Sequence, residues 1–328
     1  MEHPIIVTGA AGFIGRNVVD QLNQQGHTGI ILVDTLGLAV EGVAEKWRNL
    51  LGLRFEDILS PDQFLQSLEA GHFTTAASVI HLGACSSTTE KDADFLLQNN
   101  YRYTRTLCEW ALRQNVRFVY ASSAATYGDG AQGYSDDDAS TPNLRPLNMY
   151  GYSKHLFDLW ALKHNLFHKI VGLKYFNVFG PYEDHKQDMR SVVAKSYEQI
   201  KASGKVQLFK SYRPDYRDGE QRRDFIYVKD AAALTLHFAQ PNTPGGLFNC
   251  GTGQARTWLD LGHAVFAAMG LPPRIEFIEM PTQLQGKYQY FTQADTKKLR
   301  AAGYTAEFTT LEAAVADYIT TYYEAPHP

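Results

Sequence analysis

The feature that most constrains the fold of this 328-residue chain is a short apolar run that leads into three regularly spaced glycines. Ile5–Thr8 has the length and composition of a buried strand, and Gly9, Gly12 and Gly15 follow as a helical pattern begins. Such glycines allow a tight turn, close approach of the backbone to a phosphate, and close packing of helix on strand. Free N–H groups at the start of the helix attract phosphates. The segment therefore predicts a site for a dinucleotide pyrophosphate, with a glycine-rich turn of another α/β protein as the alternative.

Apolar segments of strand length alternate with helical patterns through the first half of the chain. After the first strand, strands are predicted at 29–34, 53–57, 78–81 and 117–121, and helices at 13–25, from Ser60-Pro61 onward, and at 92–114. This alternation favours right-handed crossovers between parallel strands. The sequence therefore predicts an α/β fold, a Rossmann-type doubly wound parallel sheet in which ligands bind beyond the carboxyl ends of the strands.

The alternation fades after Gly180, where loops rich in Tyr, Arg, Asp and Gln begin. Two later apolar runs, 224–228 and 246–249, are expected to return to the main sheet as strands, and the remainder to form a smaller mixed α/β substrate lobe. We expect the dinucleotide-binding domain to cover 1–176, with returning segments at about 225–253 and 300–315. The substrate lobe then covers 177–224, 254–299 and 316–328, of which 326–328 are expected to form a frayed tail.

Composition and charge exclude several classes of partner. The formal net charge is -4, so the chain has no basic field for nucleic acid or an anionic membrane. No apolar run approaches the ~20 residues of a membrane span, and a strand begins too near the first residue to leave room for a secretion signal. Cys85, Cys108 and Cys250 cannot all pair and lack the spacing of a metal site. We expect a cytoplasmic protein with reduced thiols and with no metal, nucleic-acid or membrane partner.

Asp34 ends the second predicted strand, 19 positions after Gly15. In dinucleotide-binding folds an acid about 20 residues after the glycines hydrogen-bonds the adenosine ribose. A turn or helix-capping aspartate is the alternative interpretation. We predict that Asp34 contacts the cofactor.

Tyr150 and Lys154 are four residues apart in a predicted helix, so their side chains share one face. A nearby ammonium, together with the positive charge of an oxidised nicotinamide, favours phenolate and lowers the pKa of a tyrosine from its usual ~10. Tyr150 would then accept a proton from a sugar hydroxyl while hydride leaves the carbon for the cofactor. Lys154 would also hydrogen-bond the nicotinamide ribose. Ser123, which follows the fifth strand, would hold the reacting oxygen, and a capping role is its alternative.

Several segments together carry a resemblance to one known family. They are the glycine run, Asp57-Ile58, the loop at Ser123 and the Tyr150–Lys154 motif, together with 81–90, 121–128, 147–154, 175–181, 185–186, 223–227 and 288–295. This set is similar to the extended short-chain dehydrogenases/reductases that act on nucleotide sugars, and more narrowly to the ADP-glyceromanno-heptose 6-epimerases. The resemblance runs nearly end to end. It implies epimerisation at C6 of an ADP-activated heptose through a transient 6-keto intermediate, which would supply the lipopolysaccharide inner core.

The resemblance also implies a tightly held NADP, with NAD as the alternative because an acid such as Asp34 by itself favours NAD. Lys46 matches a family lysine that meets the 2′-phosphate, and Arg48 would assist it, whereas Pro61 replaces a second family lysine. The cofactor positions that the resemblance implies are Gly9, Gly12, Phe13, Ile14, Gly15, Asp34, Thr35, Lys46, Asp57, Ile58, Leu82, Gly83, Ala84, Cys85, Ser86, Asn99, Lys154 and Val178.

A nucleotide-diphosphate heptose is the bound partner that the resemblance implies. Arg223 suits a diphosphate, because a guanidinium binds phosphate oxygens in a two-point fork. The substrate positions implied are Asn177, Asp188, Lys195, Phe209, Lys210, Ser211, Tyr212, Arg223 and Tyr288. The family commonly has a histidine where Lys195 stands and a serine where Asp188 stands, and Arg213–Gln221 looks like an insertion. These departures leave another nucleotide or sugar open.

Lys186 is the second acid–base group that the resemblance implies. Epimerisation through a ketone must return hydride to the opposite face, so each side of the carbon needs its own acid–base group. The family uses a tyrosine and a lysine, which correspond to Tyr150 and Lys186. A solvated loop lysine is the alternative for Lys186.

Two further interpretations stay open. One is a 4-epimerase or 4,6-dehydratase acting on another nucleotide sugar, although Ala124-Ala125-Thr126 stand where a dehydratase of this group usually has an Asp-Glu pair. The other is a binding or scaffold protein without turnover, which the intact Ser123, Tyr150 and Lys154 set disfavours. The resemblance implies a homo-oligomer, a ring-shaped pentamer.

Overall fold

Short strands build one large and two small sheets in a computed structural model that describes residues 3–37, 44–282 and 288–325. The strands are β1 (Ile5–Thr8), β2 (Ile30–Val33), β3 (Asp57–Leu59), β4 (Ser78–His81), β5 (Arg117–Ser123), β6 (Ile170–Tyr175), β7 (Asn177–Phe179), β8 (Val206–Phe209), β9 (Arg222–Tyr227), β10 (Gly246–Cys250), β11 (Ala255–Thr257) and β12 (Ile275–Ile278). The large sheet has seven parallel strands in the order β10-β6-β5-β4-β1-β2-β3. The predicted doubly wound parallel sheet is confirmed.

The central strands are apolar because helices cover both faces of the sheet. Every residue of β2 and β4 is buried, as expected for parallel strands enclosed on two sides. β1 lies between β2 and β4, with Ile5 opposite both Ile30 and Ser78. The chain thus winds outward in both directions from β1, and the carboxyl ends of β1 and β4 form the point where ligands bind in such sheets.

Helices connect these strands. Their bounds are α1 (Phe13–Gln24), α2 (Pro61–Glu69), α3 (Ala93–Leu96), α4 (Tyr103–Gln114), α5 (Met149–Lys163), α6 (Val192–Ser203), α7 (Val228–Ala239) and α8 (Trp258–Ala268), followed by Lys297–Ala301 and Leu311–Tyr318. Ser60 and Gln63 form the capping box that opens α2, as the Ser-Pro signal predicts. The helix predicted over 92–114 is one helical stretch with a π-helical segment, Leu97–Arg102, between α3 and α4. In the described ranges, no helix combines the length and apolar character needed to span a bilayer.

The third strand lies later than predicted. The sequence suggests 53–57, but the ladder pairs Asp57 with Ile31 and Leu59 with Val33. Leu53 and Phe55 pack, partly buried, against the core beside β2. These two alternating apolar residues resemble a strand, but their segment packs beside the sheet without joining it. The predicted bounds of the third strand are therefore wrong by a few residues.

The second returning strand joins the central sheet, whereas the first does not. β10 pairs with β6, as predicted for 246–249. β9 instead pairs parallel with β7 and antiparallel with β11 in a separate three-stranded sheet. A buried apolar strand has the same sequence pattern in any sheet that is enclosed by other elements. The sequence therefore does not show whether β9 joins the central sheet or a separate one. The proposed division of the chain into two lobes stays a prediction, and its residues 326–328 lie outside the described part.

Candidate active site

A cavity of about 500 Å³ opens beyond the carboxyl ends of the central strands. Of the predicted cofactor positions, all but Asp57, Ile58 and Val178 line it, and so do Tyr150 and Lys186. The lining residues are Thr8, Gly9, Gly12, Phe13, Ile14, Gly15, Val33, Asp34, Thr35, Lys46, Pro61, Leu82, Gly83, Ala84, Cys85, Ser86, Ser87, Asn99, Tyr103, Ala121, Ser122, Tyr150, Lys154, Tyr175, His185, Lys186 and Met189. The fold therefore gathers residues from many separate segments into one site.

The glycine run at the cavity has no room for side chains. A Cβ on Gly9 would lie 2.7 Å from the backbone nitrogen of Gly83, and Gly9 has φ +68°. A Cβ on Gly15 would collide with the carbonyl oxygen of Gly9. α1 begins directly after Gly12, and the first N–H groups of a helix have no partner within it. This tight loop with free N–H groups fits a dinucleotide pyrophosphate.

The Asp34 carboxylate ties the glycine loop to the next segment. One oxygen accepts the Ala11 N–H at 2.8 Å, and the other accepts the Thr35 N–H at 2.7 Å and the Lys46 ammonium at 2.5 Å. Asp34 is buried, whereas the Lys46 side chain remains partly exposed. The carboxylate is therefore neutralised where the adenosine end of a dinucleotide would lie.

Tyr150 lines the cavity and contacts Ser123, which lies just outside the cavity lining. Burial raises the pKa of Tyr150, and a hydrogen bond with the Ser123 side chain opposes the rise. The same serine oxygen accepts the Ala125 N–H at 3.1 Å, so it also caps a short turn. The capping role of Ser123 is therefore observed, whereas its role at the reacting oxygen stays a prediction.

Lys154 lies on the same face of α5 and points to the end of β5. Its ammonium donates to the Ala121 carbonyl at 2.9 Å. Burial lowers the pKa of Lys154 to about 8, and the charge of Asp158 partly opposes the shift. The pKa of Tyr150 is thus raised in the structure and not lowered as the sequence predicts, because burial outweighs the hydrogen bond with Ser123.

A buried polar network fixes α5 against β5. The Asp158 carboxylate accepts hydrogen bonds from Tyr120 and Ser122, both at 2.7 Å, and from the Lys174 ammonium at 3.1 Å. Lys174 also donates to Thr126, in the turn after Ser123, at 2.7 Å. The side chains of Asp158 and Lys174 are fully buried, so the pair is rigidly held. This network sets the distance between the serine turn and the tyrosine helix.

Lys186 reaches the cavity from the segment after β7. Its ammonium lies 4.8 Å from the centre of the Phe13 ring, at the start of α1. Burial lowers the pKa of Lys186, Glu183 opposes the shift, and the nearby Lys195 adds to it. A lysine whose pKa is lowered toward neutrality is better suited to exchange protons than an exposed one.

The predicted substrate residues form two groups outside this cavity. Among the described residues, none of the nine lines it. Asp188 and Lys195 lie close to Lys186, with the Lys195 ammonium 2.6 Å from the Asp188 carbonyl. Asn177 lies 3.5 Å from Thr292, between side-chain oxygens.

The second group surrounds a buried arginine. The Arg223 guanidinium lies 5.1 Å from the Tyr288 ring and 5.7 Å from the Trp258 ring, and Phe209 packs against Tyr288. Burial lowers the pKa of Arg223. Lys210, Ser211 and Tyr212 follow Phe209, and Lys210 and Tyr212 both bond Glu279. An arginine held among aromatic rings suits a flat, negatively charged ligand.

The apparent insertion folds back onto this second group. Asp218 accepts the Ser211 N–H at 2.7 Å. Arg213 pairs with Asp215 and lies over the rings of Tyr216 and Tyr290. The insertion therefore covers the strand end at Phe209 and lies away from the glycine loop.

Three predicted cofactor residues lie outside the cavity lining. Asp57 and Ile58 are on β3, where Ile58 pairs with Leu32 of β2, and Val178 packs beside β9. Their roles stay predictions.

Sequence reasoning missed several lining residues. Tyr103, Ser87, Met189 and Pro61 line the cavity without having been assigned to it. Tyr103 could have been found, because it stands four residues after Asn99 in the same helix and so shares its face. Nothing in the local pattern identifies Met189.

Comparisons with known proteins agree with this geometry. The model of the NAD dependent epimerase/dehydratase family matches residues 5–251. An ADP-L-glycero-D-manno-heptose-6-epimerase of Nitratidesulfovibrio vulgaris strain DP4 is 52% identical, covering 98% of this chain and 99% of its own length. One from Fusobacterium nucleatum is 44% identical over 97% of each chain.

Solved structures agree as well. The Helicobacter pylori ADP-L-glycero-D-manno-heptose-6-epimerase superposes with a TM-score of 0.79 at 25% identity, covering 98% of this chain and 96% of that one. A UDP-N-acetylglucosamine 4-epimerase from Methanobrevibacter ruminantium has the same TM-score at 24% identity, with 98% of each chain covered, and shares the fold. The chain belongs to the NAD-dependent epimerase/dehydratase family.

Proposed function

We propose that this chain is an isomerase that converts ADP-D-glycero-β-D-manno-heptose to its L-glycero epimer through a transient 6-keto intermediate. Relatives at 52% and 44% identity over nearly the whole chain bear the name of this activity. The observation that carries the proposal is that Tyr150 and Lys186, from separate segments, line one cavity together with the glycine loop. An inversion at carbon needs acid–base groups on two faces, and these two are suited to that task.

The cofactor in this proposal is NADP, with NAD as the alternative. The chemistry that a bound nicotinamide would supply is the removal of hydride from C6 and its later return. The Asp34–Lys46 ion pair supports NADP, because it neutralises the acid that would repel a 2′-phosphate. Pro61, where the family has a second lysine, lines the cavity without adding charge. The ratio of NADP to NAD released from the purified protein tests this preference.

Tyr150 acts in the first half of the reaction. Its phenolate accepts the proton of the C6 hydroxyl as the C–H bond breaks and the carbonyl forms, so the substrate loses one proton and one hydride. Ser123 donates to the reacting oxygen, and Lys154 holds the phenolate by its charge. These roles fit the contact between Ser123 and Tyr150 and the place of Lys154 on the same helix face.

Lys186 acts in the second half. The planar 6-keto intermediate rotates in the site, so that hydride returns to its opposite face. At the same time the Lys186 ammonium donates a proton to the carbonyl oxygen. Glu183, whose charge raises the pKa of Lys186, keeps this ammonium available. The proton balance closes when Tyr150 and Lys186 return to their starting states through solvent.

The diphosphate and sugar are assigned to the residues outside the cavity. In this proposal Arg223 would hold the diphosphate. The nearby rings of Tyr288 and Phe209 would form the walls of the nucleotide site. The remaining proposed contacts are Asn177, Asp188, Lys195, Lys210, Ser211 and Tyr212. A homo-oligomeric assembly, a cytoplasmic location and a role in lipopolysaccharide inner-core supply belong to the same proposal and rest on the family resemblance.

Proton NMR of ADP-D-glycero-β-D-manno-heptose with the purified protein, and no added cofactor, tests the proposed function. We expect resonances of the C6 epimer to appear until the two epimers reach equilibrium. An unchanged substrate, with and without added NADP, would reject the ADP-heptose and favour another nucleotide sugar. UDP- and GDP-sugars would then be compared in the same assay.

A further inference from the structure

One buried asparagine connects the glycine loop to the segment that carries Lys186. Asn49 lies in the short 3₁₀ helix Lys46–Leu50 and is 8% exposed. Its amide nitrogen lies 2.9 Å from the Ala11 carbonyl in the glycine loop. The same nitrogen lies 3.3 Å from the Tyr182 carbonyl and 3.1 Å from Nδ1 of His185. The Asn49 side chain thus links its own segment to two others that are distant in sequence, the glycine loop and the segment of Tyr182 and His185.

The chemistry of His185 agrees with an acceptor role. Burial lowers the pKa of His185 to about 4, and the charges of Lys46 and Lys186 add to the shift. The imidazole is therefore neutral at pH 7, and one of its nitrogens keeps a lone pair for the Asn49 amide.

Other contacts hold the same segment against α1. Asn17 donates to the Pro181 carbonyl at 3.2 Å, and the Arg16 guanidinium lies 3.7 Å from the Tyr182 ring. The Lys186 ammonium lies over the ring of Phe13. The first turn of the phosphate-binding helix and Asn49 therefore enclose the segment from two sides.

We propose that Asn49 is a positioning residue that holds Lys186 at a fixed place relative to the glycine loop. The second acid–base group thereby keeps a constant distance from the cofactor site. The inference rests on the proposed role of Lys186. Asn49 is not among the residues that line the cavity, and in this proposal it acts through His185 and the Tyr182 backbone. An asparagine that only supported the core would not need to contact the segment of Lys186, whereas Asn49 contacts both Tyr182 and His185 there.

Chemical labelling of Lys186 tests the positioning without turnover. Wild-type protein and the Asn49→Ala variant are treated with acetic anhydride, and acetylation of the peptide that contains Lys186 is followed by mass spectrometry. We expect several-fold faster acetylation in the variant, because a released lysine leaves the Phe13 ring and gains solvent. Asn23→Ala is the matched control, since Asn23 is also buried and also bridges backbone, at Arg54 and His27. Labelling of Lys186 equal in Asn49→Ala and Asn23→Ala would overturn the proposal.

A double-mutant comparison tests the link to catalysis. We expect Asn49→Ala to lower kcat about tenfold, because small misplacements of a reacting group are costly, and to have no further effect in a Lys186→Met background. Losses that multiply would show that Asn49 acts elsewhere and would overturn the proposal. If Lys186→Met kept full turnover, the proposed catalytic role of Lys186 would be rejected. The labelling experiment would still show whether Asn49 holds Lys186 in place. Asn49→Asp, which keeps the size and loses the donor, must match Asn49→Ala in labelling.

Discussion

At the scale of single residues, burial dominates the chemistry of the site. It raises the pKa of Tyr150 and lowers the pKa values of Lys154 and Lys186, in each case disfavouring the charged form. Burial therefore brings the two amines closer to proton exchange near neutral pH and takes the phenol further from it.

Replacement of Tyr150 by phenylalanine removes the first acid–base group. We expect Tyr150→Phe to lower kcat by ~10²-fold or more, as loss of a general base does, with an unchanged melting temperature. Tyr152→Phe is the control, because Tyr152 lies two residues away on the same helix and is 45% exposed. Equal activity of Tyr150→Phe and wild type would show that Tyr150 is not the first acid–base group.

Replacement of Lys186 by methionine removes the second group and keeps a side chain of similar length. We expect Lys186→Met to lower kcat by ~10²-fold or more, measured as epimer formed per unit time by NMR. Lys201→Met, an exposed lysine in the last turn of α6, should behave as wild type. Wild-type rates in the Lys186 variant would reject its role and leave it a loop lysine.

At the scale of elements, the sequence predicts many of the residues that line the cavity. The glycine run, Asp34 and the tyrosine–lysine pair could be predicted because each depends on local spacing within one strand, turn or helix. The prediction for β3 is wrong by a few residues because Leu53 and Phe55 mimic a strand. The prediction for β9 is wrong because an apolar run does not state which ladder it joins. The lining by Tyr103 and Met189, and the link through Asn49, depend on segments that meet only in the folded chain.

The glycine loop offers a test at this scale. We expect Gly15→Ala to abolish retention of the cofactor and to lower the free energy of unfolding by about 1–3 kcal/mol, because its Cβ collides with the Gly9 carbonyl. Cofactor per protein is measured by absorbance after denaturation, and stability by urea unfolding. Gly29→Ala is the control, since nothing lies within 4 Å of a Cβ there. Full cofactor content in Gly15→Ala would contradict the assigned loop.

At the scale of the whole molecule, a buried acid joins three distant segments. Asp136 is 2% exposed, and its carboxylate accepts a hydrogen bond from the Asn249 N–H of β10 at 2.7 Å. The backbone carbonyl of Asp136 accepts a hydrogen bond from the Lys298 ammonium at 2.9 Å. Burial raises the pKa of Asp136 to about 6. Since the folded pKa exceeds the usual ~4 of the unfolded chain, ionisation costs stability as the pH rises from about 4 to 6.

Asp136→Asn should therefore stabilise the protein at pH 7.5, by up to about 3 kcal/mol from the shift of roughly two pKa units. At pH 4, where the native carboxyl is protonated, the variant and wild type should unfold at equal urea concentrations. Glu307→Gln, an exposed carboxyl, should change neither value. A variant less stable than wild type at pH 7.5, with equal stability at pH 4, would show that the ionised carboxylate is needed.

The most direct test of the mechanism is the fate of the hydrogen on C6. The substrate is epimerised in D₂O, and the isolated product is examined by proton NMR and mass spectrometry. Oxidation and re-reduction within the cavity predict a product that keeps hydrogen at C6, because that hydrogen moves as hydride and only the hydroxyl proton exchanges with solvent. Deuterium at C6 of the product would mean that the carbon loses a proton to solvent, and would contradict the proposed mechanism.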